Sequence, residues 1–134
     1  MNLLVNIDVE DLARGIAFYQ SAFGLRLGRR LFGGAVAEMV GGSSNIYLLT
    51  RPSGTAASPQ FSLARDYRRH WTPVHLDFEV DDVGVAAQRA LAAGAKLEGE
   101  IQTFAWGRIA MMSDPFGHGF FFLQFIGRGY DEVA

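Results

Sequence analysis

The sequence predicts an α+β fold built from two βαβββ units, one in each half of the 134-residue chain. Three observations predict it. A pattern of strand, acidic residues, helix, glycine and strand occurs twice in the same order. The strand candidates alternate apolar and polar residues with period 2, and the helix candidates carry apolar residues at helical spacing. Glycine-rich turns separate the short strands that follow each helix.

The elements follow in order. Leu3, Val5, Ile7 and Val9 alternate with Leu4, Asn6 and Asp8, so one face of this strand is apolar. Glu10 and Asp11 place acidic groups where a helix N-terminus favours them. Leu12, Ile16, Tyr19 and Phe23 recur at helical spacing, and Phe18 and Ala22 widen the stripe. Gly24 stands where a left-handed residue ends a helix. Strands are predicted at 25–32, 35–40 and 45–51, with turns at Gly33-Gly34 and 41–44. Residues 52–70 are rich in Pro, Ser and Arg and read as a linker with room for one helical turn.

The opening pattern then returns. A strand at 71–80 carries Val74, Leu76, Phe78 and Val80 on one face and His75, Asp77 and Glu79 on the other. Asp81 and Asp82 lead into a helix with Val83, Ala87, Ala90 and Leu91 on one side, closed by Gly94. Strands follow at 96–102, 108–113 and 120–126. The offset between copies is 71 at the strand and 70 at the glycine, so one residue is gained or lost within the helix. In Ser113 to Gly119, Asp114 can accept a backbone N–H, Pro115 fixes φ and Gly117 tolerates φ > 0, which makes a tight hairpin. The chain divides as module one 1–51, linker 52–70, module two 71–127 and a tail 128–134, all within one domain.

Composition narrows the function. Twelve Lys+Arg against 14 Asp+Glu leave no basic face for nucleic acid. The absence of cysteine removes disulfides, thiolate nucleophiles and Cys-ligated zinc. Neither a signal peptide nor a bilayer-spanning stretch is present, so a cytoplasmic protein without membrane partners is expected. No serine-hydrolase, zincin, Walker or dinucleotide-binding motif occurs.

The segments VEDLARGIAFYQSAFGLRL, VHLDFEVDDVGVAAQRALAAGAKL and DPFGHGFFFLQF, taken in this order, resemble the vicinal oxygen chelate superfamily. That superfamily is also called the glyoxalase, bleomycin-resistance and extradiol-dioxygenase superfamily. The resemblance implies paired modules, eight strands in an incomplete barrel, and a homodimer. Its metal enzymes take one ligand from the first strand and one from the last strand of each module. The matching positions here are Leu4 and His75, then Leu48 and Phe121 by counting from the turns. Only His75 is a competent ligand, and a catalytic metal takes about three protein ligands. No resident cofactor is therefore expected. An oxygen-rich site for Mg or Mn, built from His75, Asp77, Glu79, Asn6 and Asp8, stays open as an alternative.

His75 is the candidate catalytic residue, as a general base or as an orienting group, with a structural histidine as the plain alternative. The candidate ligand-binding set is Asn6, Tyr47, His75, Asp77, Trp106, Met111 and Phe121. Arg65, Arg68 and Arg69 with His70 offer an anion clamp or simply a solvated loop. His118 reads as a turn residue. The expected function is binding of a small organic ligand without the usual metal. A metal-assisted or His75-based isomerase, lyase or dioxygenase of the same superfamily is the alternative.

Overall fold

The computed structural model describes residues 1–134. It is an α+β structure in two compact units, 1–68 and 69–134.

Unit one runs β1 (Val5–Val9), α1 (Leu12–Phe23), β2 (Arg26–Leu31), β3 (Val36–Val40) and β4 (Ile46–Thr50). Its sheet has the order β1-β4-β3-β2, with β1 and β4 parallel. The βα step puts α1 against one face of the sheet, where Ile16, Phe18, Tyr19 and Ala22 meet Ile7, Val9, Ala37, Met39, Ile46 and Leu48 as a dry core. Asp11 caps α1 by accepting from Arg14 N, and Gly24 ends it at φ 68.

Unit two repeats the plan with β5 (Leu76–Glu79), α2 (Val83–Ala93), β6 (Lys96–Leu97), β7 (Gln102–Thr103), β8 (Gly107–Ser113) and β9 (Gly119–Phe125). The sheet order is β5-β9-β8-β6, and β7 also pairs with β8. Asp82 caps α2 through Val85 N, and Gly94 ends it at φ 112. Helix α1 has twelve residues and α2 eleven, which accounts for the change of offset in the repeat.

Four sequence expectations change. The strand expected at 71–80 is ordered as β5 only from Leu76 to Glu79. Upstream of it Pro73 has no N–H for a ladder, and Thr72 Oγ1 donates to Val74 O at 2.6 Å instead. The strand expected at 96–102 is split into β6 and β7, because Gly99 turns the backbone at φ 80. Strand β2 stops at Leu31, as Phe32, Gly33 and Gly34 all take positive φ. The linker holds an antiparallel loop in place of a helical turn: Gly54 N donates to Arg65 O, Arg65 N donates to Thr55 O, and Ala56 bridges Ala64.

No helix is long and apolar enough to cross a membrane.

Candidate functional site

Strand parity sorts the candidates. In unit two, Asp77 pairs with Phe121 on the parallel strand, and Phe121 pairs with Met111 on the antiparallel one. Cross-strand partners point to the same side of a sheet, so these three form one row on the face away from α2. His75 joins it at i−2 from Asp77. Its ring centroid lies 4.9 Å from that of Phe121, and its Nε2 lies 3.2 Å from Asp77 Oδ1. Both members of the His75–Asp77 pair are about half exposed. Four of the seven candidate residues are thus neighbours on one open patch: a carboxylate, an imidazole, an aromatic ring and a thioether.

The patch continues toward Arg69. This guanidinium lies directly over Gly119, where an added Cβ would come within 2.6 Å of its Nη2. Its Nε donates to Glu98 Oε1 at 2.5 Å and its Nη2 donates to Glu98 Oε2 at 3.2 Å. Those bonds hold the Glu98 carboxyl below its usual range, against a weaker upward push from burial.

Unit one has the equivalent row. Asn6 pairs with Tyr47, and Tyr47 pairs with Glu38. The sequence reading passed over Glu38, which proves to be the most heavily bonded side chain of this face. It is 5% exposed. Arg29 donates to it from Nε at 2.6 Å and Nη2 at 2.8 Å, Tyr47 OH at 3.1 Å and Asn45 Nδ2 at 3.3 Å. A β-bulge makes this possible: Gly28 and Arg29 together stand opposite the single residue Glu38, which re-aims the arginine onto it. The only sequence signal was a lone carboxylate inside the apolar run AVAEMV, with Arg29 and Arg30 just upstream.

The Arg29 hydrogen bonds hold the Glu38 carboxyl down to about 2, with smaller help from Tyr47 and Asn45 and an opposing push from burial. Because the folded value lies below the unfolded one, the stabilisation is complete above the unfolded range near 4.5 and is lost as pH falls through about 2. Denaturation midpoints measured between pH 5 and pH 2 should therefore fall less steeply in Glu38→Gln, by up to about one proton in the slope.

Trp106 is not part of either row. It stacks on Phe104 at 5.3 Å and leans on Tyr130 at 5.3 Å, near the far end of β8 from Met111. Met111 lies five positions beyond Trp106 along extended chain, roughly 17 Å. The arginines of the linker are all engaged with carboxylates. Arg65 donates to Asp8 at 2.6 Å, Arg68 to Asp66 at 2.5 Å, and Arg69 to Glu98 as above.

The register also corrects one position. The repeat equates Asn6 with Asp77, Asn6 pairs with Tyr47, and Asp77 pairs with Phe121. The first-module counterpart of Phe121 is therefore Tyr47. Leu48 is 0% exposed and faces the α1 side. On the positions that the resemblance implies, the register gives Leu4, Tyr47, His75 and Phe121, and a divalent metal wants about three imidazole, carboxylate or thiolate ligands. The donor set does not fit. Nor do three His, Asp or Glu side chains gather elsewhere, and Asp8, part of the alternative oxygen site, is bonded to Arg65.

Comparison with known proteins agrees with this architecture. FosX, the genomically encoded fosfomycin resistance protein of Listeria monocytogenes, has a similar fold at a TM-score of 0.75 and 17% identity, over 100% of this chain and 98% of that one. A glyoxalase/bleomycin resistance protein/dioxygenase family enzyme of Burkholderia phytofirmans PsJN gives 0.72 at 23% identity, over 92% and 97%. TioX of Micromonospora sp. ML1 gives 0.69 at 21%, over 94% and 99%. No curated protein sequence matches. The model of the glyoxalase-like domain matches residues 4–123. With two βαβββ modules in register and that match over most of its length, the chain belongs to the glyoxalase-like domain family of the vicinal oxygen chelate superfamily.

Proposed function

We propose that this chain binds a small organic ligand on the open row of His75, Asp77, Met111 and Phe121, without a metal at the superfamily's ligand positions. The row itself carries the reading. Phe121 and Met111 offer an aromatic face and a polarizable thioether, while Asp77 and His75 offer a fixed acceptor and a ring nitrogen. Glu79 continues the carboxylates along β5, which favours a ligand with a cationic group beside an apolar or aromatic body. The His75–Asp77 approach of 3.2 Å favours one second reading, in which Asp77 orients His75 as a general base on the same ligand.

A thermal-shift screen of aromatic, cationic and thiol-conjugate compounds tests the proposal. A ligand present at 100 times its Kd adds about 2.7 kcal/mol, or roughly 10 °C for a chain of this size. Phe121→Ala should remove that shift. Silence across the whole panel, or a shift that survives Phe121→Ala, counts against binding at this row. Metal analysis of untagged protein separates the metal reading: stoichiometric metal that is lost in His75→Ala would overturn the metal-free proposal.

A further inference from the structure

The two histidines outside the candidate site face each other. His70 Nε2 lies 2.9 Å from His118 Nδ1, with ring centroids 4.8 Å apart and the rings nearly perpendicular. His70 closes the linker, and His118 sits in the turn between β8 and β9. The backbone makes the same link, since His70 N donates to Gly117 O at 3.2 Å. Arg69 reinforces it. Its guanidinium bonds Glu98, lies over Gly119 and donates from Nη1 to His70 O. On the other side, Asp114 Oδ1 accepts from His118 N at 3.0 Å and fixes the turn.

We propose that the His70–His118 pair is a pH-sensitive latch that fastens residues 69–75 to the β8–β9 turn. A hydrogen bond between two imidazole nitrogens needs one ring to donate and the other to accept. When both rings carry a proton, both nitrogens are donors, and two positive charges stand 2.9 Å apart. The charged groups around the pair are Arg69 from its own segment, Asp114 from the turn and Glu98 from the chain after β6. Arg69 opposes a second positive charge. Glu98, bonded to Arg69, and Asp114, whose Oδ1 accepts from Phe116 N and His118 N, keep their negative charge, but neither restores the acceptor that the pair itself loses. With both rings protonated neither nitrogen can accept, so the link breaks on acidification. Residues 71–75 run straight from the latch to β5. Trp71 and Val74 there are exposed, so little apolar burial holds the segment once the latch opens. His75 lies at its end. Proton concentration thus sets the order of the segment that carries His75, and this holds whether or not the His75 row binds a ligand.

Amide hydrogen exchange on the full chain at pH 7.5 and 5.5, corrected for intrinsic rates, tests the latch. Protection of the His70 amide should fall about tenfold or more, while the Phe122 amide in β9 stays protected. In the double variant His70→Gln, His118→Asn the side-chain amides span the same gap and do not titrate, so His70→Gln protection should be equal at both pH values. Protection that is independent of pH in the natural sequence overturns the proposal, as does pH dependence that persists in the double variant. Imidazole ¹⁵N shifts of the unaltered chain supply a check that needs no variant. Loss of His70 protection must follow the second protonation of the pair, and loss while one ring is still neutral overturns the latch.

Discussion

Phe122→Ala should cost about 3–5 kcal/mol of folding stability, the range for emptying a buried aromatic site. Phe122 is 0% exposed on β9, the strand between β5 and β8. Its pairing partners are Phe78 and Ala110, and its ring meets Phe120 edge-on at 5.3 Å and Phe78 at 6.4 Å. Domains of this size hold only about 5–15 kcal/mol in total, so the variant should lose a large share of its stability. Urea denaturation checks it. Phe121→Ala is the matched control. It removes the same ring from the opposite face and should cost far less stability while removing ligand binding. Equal losses for the two variants would mean that β9 is shifted by one residue, since such a slip exchanges the two faces.

That comparison shows what could and could not be read from sequence. The repeat was legible because it is written in residue types with single uses: Asp11 and Asp82 as caps, and Gly24 and Gly94 as left-handed helix ends. Even the change of offset had a structural meaning, one residue less in α2. The run Phe120-Phe121-Phe122 is different. Three identical residues carry no alternation, so the choice of Phe121 rested on a count from the turn, and its pairing with Asp77 is what puts that ring on the face away from α2. The same blindness moved a position from Tyr47 to Leu48, since a count from flanking turns has an uncertainty of one and parity does not forgive it. Glu38 was hidden for another reason. Its partner Arg29 reaches it through a bulge, and an extra residue in one strand is invisible until the opposite strand is laid beside it. Trp106 had the right chemistry for a ligand wall, but its position just before β8 puts it with Phe104 and Tyr130.

The β8–β9 turn was legible in the roles of Asp114 and Gly117, though not in the contact of His118 with His70, and it supports the second large effect. Asp114 is 5% exposed, and its Oδ1 accepts from Phe116 N at 2.8 Å and from His118 N at 3.0 Å. The ring of Phe116 is buried, so the first bond fixes the backbone from which that ring enters the core. Gly117 takes φ 83, and its N–H donates to Asp114 O at 3.2 Å. Asp114→Ala removes the acceptor of two backbone N–H groups at once. Hydrogen bonds to a charged acceptor contribute about 1.5–3 kcal/mol each and share one carboxylate here, so a loss of about 2–4 kcal/mol is expected. Asp114→Asn keeps an oxygen in place and should recover about half of that loss, the share a neutral acceptor provides, which separates the hydrogen bonds from mere side-chain volume. Chemical denaturation of both variants gives the comparison, and equal destabilisation would mean that the carboxylate's charge matters more than its acceptor geometry. Asp114→Ala should also lower the protection of the His70 amide at every pH, because the turn that carries His118 and Gly117 O loses its support. A turn defect that acts at all pH values and a histidine pair that acts only on acidification are then distinguishable in one set of exchange data.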